Sequence, residues 1–152
     1  MKKNQGFSLV ELIVVIAIMA VLVGVLAPAY LRYVEKSRKS TDVSSISDIM
    51  AAAEKVAIDP QFDLATGATF TLSGTGTLNM TVANGTTDAA ADAALAEWKA
   101  IAGNSYTCKS KEFKAVQMSF TGTLQAAGNV TWSINAAQLV AFSPDFQKKW
   151  QS

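Results

Sequence analysis

The sequence predicts an α+β fold: a long N-terminal α-helix, transmembrane in its first half and amphipathic in its second, packed against a small antiparallel β-sheet. Three observations carry this. Residues 12–31 are an uncharged apolar run, the stretch after Arg32 repeats apolar residues at helical spacing, and the later chain breaks into short β-branched runs punctuated by glycine. A helix whose exposed stripe is covered by a sheet is a stable two-layer solution for such a pattern.

The run LIVVIAIMAVLVGVLAPAYL holds twenty residues without a charge, which at about 1.5 Å per residue reaches across the ~30 Å core of a bilayer. Lys2 and Lys3 precede it and Arg32 follows. The paired lysines favour a cytoplasmic N-terminus and so send the remaining chain across the membrane. A secretory signal peptide would have a shorter apolar region followed by a small-residue cleavage site. A buried helix of a water-soluble domain is rarely apolar all round. A membrane anchor fits the run best.

Two features disturb it. Glu11 stands at its front, where a carboxylate in an apolar span costs roughly 2.5 to 3.5 kcal/mol at the bilayer centre. Either it meets a cation or, lying so near the start, it snorkels to the headgroups. Pro28 removes a helix hydrogen bond to the carbonyl of Gly24, itself a weak helix former. Together they predict a bend or a short melted stretch between residues 20 and 28, with the ordinary tolerance of membrane helices for Gly and Pro as the plainer reading.

After Arg32, Val34, Val43, Ile46, Ile49 or Met50, Ala53 and Val56 recur close to helical spacing. The helix should therefore continue to about Ala57, some 50 residues or about 75 Å of rod, and stop before Asp59-Pro60. ATFTLSGTGTLNMTVANGTT reads as one or two strands or an extended loop, with a turn at Asn84-Gly85. DAAADAALAEWKAIAG reads as a helix that closes on Gly103 and turns Leu95, Trp98 and Ile101 to the core. FKAVQMSFTGTL and NVTWSINA are two more strands, joined by a turn at residues 127–129.

Composition excludes several classes. Thirteen basic residues face twelve acidic ones, too even a balance for a general nucleic-acid binder. Cys108 is the single cysteine and histidine is absent, which rules out an intrachain disulfide and argues against structural zinc. No cofactor is expected. Without a histidine base, and with Asp88, Asp92 and Glu97 reading as solvated or terminal helix charges, no catalytic constellation forms and the chain does not read as an enzyme. Lys109, Lys111, Lys114, Lys148 and Lys149 would offer a basic surface to DNA or another polyanion, but the ordinary solvated reading is the stronger. Trp98, Trp132 and Trp150 read as core or edge packing. Asn79, Asn84 and Asn129 open glycosylation-type triplets, a pattern common by chance.

The stretch KKNQGFSLVELIVVIAIMAVLVGVLAPAY resembles the N-terminus of type IV pilins and pilin-like proteins. It has a short basic leader ending in Gly6, then Phe7, Glu11 four residues on, and the apolar run with Pro28. The resemblance implies a leader over residues 1–6, a membrane or filament-core helix over 7–31, and a globular pilin domain over 32–152 that includes the amphipathic half of the helix. It implies cleavage between Gly6 and Phe7 by a prepilin peptidase and N-methylation of Phe7. Glu11 would then meet the new Phe7 amine, in its own helix or in an adjoining subunit, and set the stagger of assembly.

The role so implied is that of a major pilin, a helical homo-oligomer extruded from the membrane by an assembly platform and ATPase. It would be a precursor in the cytoplasmic membrane and an extracellular filament once assembled, in a family associated with adhesion and twitching motility. A minor pilin, or a pseudopilin of a type II secretion or DNA-uptake system, shares every one of these residues. A monomeric surface-binding module that keeps residues 1–6 is the third reading. DNA or a host surface as partner has no support in the residues. The missing second cysteine departs from the disulfide-bearing pilins and suggests a Gram-positive source.

Overall fold

The structure, a computed structural model, describes residues 8–85 and 88–134. Helix α1 runs Leu9–Ala57 and a 3-10 turn Pro60–Phe62. Strands β1 (Thr69–Thr75) and β2 (Thr77–Ala83) come next, then α2 (Asp88–Ala102), β3 (Ser105–Thr107), α3 (Lys111–Ala115), β4 (Gln117–Leu124) and β5 (Val130–Ile134). The chain divides between Ser37 and Arg38 into two compact units.

In the first unit α1 is helical without a break through Gly24 and Pro28, so no melted stretch is present where the sequence predicts a bend or melting. Pro28 has no N–H to donate to the Gly24 carbonyl, so the helix passes that turn one hydrogen bond short.

In the second unit the amphipathic half of α1 lies as the sequence predicts. Ile46, Ile49, Met50, Ala53, Val56 and Ala57 are buried, at the spacings that keep one helix face inward. The helix stops at Ala57; Asp59 accepts Gln61 N–H through Oδ1 at 2.9 Å and Pro60 opens the 3-10 turn. The sheet is antiparallel in the order β3-β2-β1-β4-β5. Its inner face alternates along each strand: Phe70 and Leu72 on β1, Leu78 and Met80 on β2, Met118, Phe120 and Leu124 on β4, Trp132 on β5. Each large side chain so buried stabilises the fold by about 1.5 to 3 kcal/mol.

The turn expected at Asn84-Gly85 follows β2, where Gly85 takes φ 72. A further turn, at Gly74 and Gly76, closes the β1-β2 hairpin. A Cβ on Gly74 would sit 2.0 Å from the Thr77 carbonyl oxygen, so only glycine closes that turn. Asn84 is buried and accepts Ala65 N–H through Oδ1 at 2.8 Å, tying two loops together. Two expectations need correcting. On α2, Ala91, Ala94 and Trp98 face the core, Leu95 is half-buried and Ile101 is 52% exposed. A repeat of three residues drifts about 60° per step from a 3.6-residue helix, so its third member leaves the face. Finally, residues 113–115, which the sequence places at the start of a strand, close the short helix α3, and β3 is a strand beyond those the sequence predicts. The turn at 127–129 is as predicted, built on Gly128 at φ 78.

Candidate functional site

Helix α1 opens with a local carboxylate contact. The Ser8 carbonyl accepts the first helical bond from Leu12 N–H at 3.3 Å, and the Ser8 N–H donates to Glu11 Oε2 at 3.0 Å. This is the reciprocal half of a capping box, in which an acid at the third helical position satisfies the backbone donor of the capping residue. The sequence carries the signal for it, Ser8-Leu-Val-Glu11, which the reading of Glu11 as a buried charge passed over. The bond turns the carboxylate toward the chain's start. Gly6 and Phe7 lie outside the described residues, as do Lys148, Lys149 and Trp150.

Beyond Glu11 the side chains have no cover. Residues 9–33 are all exposed, among them Ile16, Met19, Leu22 and Leu26. The segment is long and apolar enough to cross a membrane, and none of its most apolar window is buried. In water that exposure would forgo about 1.5 to 3 kcal/mol for each large residue, so lipid or other helices must supply the cover.

Where α1 enters the second unit, Asp42 is wholly buried. Its carboxylate accepts the Tyr106 hydroxyl at 2.7 Å, Lys109 N–H at 2.9 and 3.0 Å, and Ser110 N–H at 2.8 Å. A buried carboxylate is tolerable when each lone pair has such a donor. The contact fixes the loop after β3 to the helix, and Ser110 then caps α3 by accepting Phe113 N–H. Sequence reasoning missed Asp42 because nothing marks an isolated acid in a polar stretch of helix as inward-facing.

Two tryptophans make similar ties. Trp98 Nε1–H donates to the Ile49 carbonyl of α1 at 2.9 Å while its ring meets Phe70 edge-on at 5.5 Å. Trp132 Nε1–H donates to Glu54 Oε1 at 2.9 Å. Both are the core packing the sequence suggests.

Titratable groups around Asp42 are held protonated. Burial pushes the Tyr106 phenol up to about 12, with the Asp42 charge adding to it and a hydrogen bond from Ser45 opposing it. Burial, then the Asp42 charge, raises the Cys108 thiol to about 11. A protonated, buried thiol is a poor nucleophile and a poor metal ligand. Among the described residues no group of His, Cys, Asp and Glu could hold a metal ion.

Comparison with known proteins bears on the N-terminal segment. Residues 1–27 match the family described as the prokaryotic N-terminal methylation motif. Two fimbrial proteins of Pseudomonas aeruginosa are each 34% identical over 59 residues, 39% of this chain and 38% of theirs. Fimbrial protein Q of Moraxella bovis is 39% identical over 59 residues, 39% of this chain and 34% of that one. The matched part thus spans under two fifths of those relatives. No solved structure matches. These relatives are Gram-negative, and the expectation of a Gram-positive source finds no support in them.

The apolar helix and the fimbrial likeness together support a location in the membrane and outside the cell. With the methylation motif at its head and a long helix whose second half packs on an antiparallel sheet, the chain has the N-terminal signature and the α+β fold of the pilin-like proteins.

Proposed function

We propose that this chain is the major subunit of a type IV pilus, polymerised through its N-terminal helix. The observation that carries the reading is the bare apolar surface of residues 9–33, headed by one carboxylate and followed by a folded unit. Cleavage between Gly6 and Phe7 by a prepilin peptidase and methylation of Phe7 would leave a cationic amine four residues from Glu11. In an apolar filament core either charge alone is costly and the pair is tolerated, so the pair fixes how far one helix slides along the next.

Helix burial would supply the cohesion, at about 25 cal/mol per Å² counted from water. A helix leaving lipid gains little of this, since one apolar neighbour replaces another. Extraction therefore takes work, which an assembly platform and its ATPase would provide.

Filament sheared from cells that express E11A tests the reading. The expected result is normal membrane insertion of the variant with sheared filament strongly reduced. Normal filament yield would refute the assembly role of Glu11.

A further inference from the structure

Among the described residues, exposed lysines gather at one end of the packed half of α1 and exposed aspartates at the other. At the end where Asp42 holds the β3-α3 loop, the exposed Lys109, Lys111 and Lys114 stand beside the half-buried Lys39, which pairs with Glu112. From Asp42 to Ala57, where α1 ends, is fifteen residues, about 22 Å of helix, and Asp59 follows two residues on. At that far end Asp59 and Asp63 are exposed. Helix α2, which carries the exposed Asp92, packs against the 3-10 turn. Lys55, the nearest basic residue of α1, lines a different groove with Ser45 and Asp48.

The acidic end is also concave. An open groove of about 320 Å³ is bordered by Ile58, Asp59, Asp63, Leu64, Leu124 and Gln125, and Ile58 is 59% exposed within it. Two carboxylates beside the exposed Ile58 side chain suit lysine, whose stem packs on apolar surface while its ammonium reaches the acids.

We propose that the Lys109, Lys111 and Lys114 face of one copy docks on the Asp59 and Asp63 groove of a second copy. The inference rests on the polymer reading above and names a contact for it outside the apolar helix. Opposite charge at opposite ends of one unit favours a second copy over a polyanion, because each end carries the complement of the other. A head-to-tail contact of this kind is heterologous and, unless rotation closes a ring, propagates into an open filament. Its energetic role is orientation more than affinity.

Neutralising variants of the full chain test it: K109Q/K114Q, D59N/D63N and the combination of all four. Asparagine still caps the 3-10 turn at 59 and tolerates the left-handed backbone at Asp63, φ 45, so folding is preserved. Two rim pairs repeated at each subunit predict that either double variant lowers pelletable filament about tenfold, with the four-site variant no worse than either. Losses that multiply in the four-site variant, or no loss in any, would overturn the contact. Wild-type chain that never pellets would instead overturn the polymer reading. The same variants are therefore compared by sedimentation velocity in non-ionic detergent, where the contact predicts low-salt self-association that either double variant abolishes. Self-association that is absent from wild type, or unchanged in the variants, overturns it there too.

Discussion

Tyr106 donates its hydroxyl to Asp42 Oδ1 at 2.7 Å, joining the β3 edge of the sheet to the entry of α1 into the folded unit. The same carboxylate holds Lys109 and Ser110 by their backbone N–H groups, so one side chain fixes a strand end, a loop and the start of α3.

Replacing Asp42 by Ala removes the acceptor from two backbone donors and leaves them in a buried site. Stability should fall by about 3 kcal/mol, the scale of breaking a buried charged network. Asp42→Asn should cost less, because one oxygen can still accept. Denaturant unfolding followed by tryptophan fluorescence measures both; equal stability of wild type and D42A would show the network to be idle.

Gly122 and Trp132 face each other across β4 and β5. A Cβ on Gly122 would lie 3.0 Å from the Trp132 ring and 2.8 Å from Val130 Cγ1. Gly122→Ala should cost about 1 to 3 kcal/mol through overpacking and push Trp132 off Glu54. Thermal unfolding reads the first effect and near-ultraviolet circular dichroism the second. A smaller cost of the same Ala substitution in a W132F background would confirm the ring as the obstacle.

Alkaline stability follows from the raised groups. Tyr106 goes from 10.0 to about 12 and Cys108 from 9.0 to about 11, so each binds its proton more tightly folded than unfolded. Their contribution is whole below about pH 9 and is lost as pH rises through the folded values. Tm should be level from pH 7 to 9 and fall from 9 to 12. C108A should blunt the drop between 9 and 11, and Y106F that between 10 and 12. Unaltered profiles in both variants would contradict the assignment.

Glu11→Gln separates the charge of Glu11 from its capping bond. A neutral amide oxygen can still accept Ser8 N–H, so the helix start is kept while the charge is lost. The assembly role predicts that E11Q fails to form sheared filament as fully as E11A. Filament from E11Q alone would assign Glu11 to capping.

The sequence is most legible where a period repeats. Ile46, Ile49, Ala53 and Val56 announce the inward face of α1, and Pro60 its end, because helix geometry and the proline ring act locally. Ile101 shows the limit: three apolar residues at equal spacing suggested a face that helical pitch does not keep. Asp42 was hidden for another reason. Its partners lie 64 to 68 residues away, and no local pattern tells a solvated acid from one that meets donors across the fold. Asn84-Gly85 has turn chemistry, and Gly85 takes φ 72 there, but the β1-β2 hairpin closes earlier, at Gly74, where a carbonyl leaves no room for a Cβ. At the N-terminus, Ser8 and Glu11 carry two overlapping signals, a capping box and a carboxylate within an apolar run, and only the second was read.

The most direct measurement is mass spectrometry of the N-terminus of this protein in material sheared from cells and pelleted. The account predicts a chain that begins at N-methylated Phe7 as the dominant species. A chain that retains Met1 and is found only in the membrane fraction would contradict it and leave an anchored, unassembled protein.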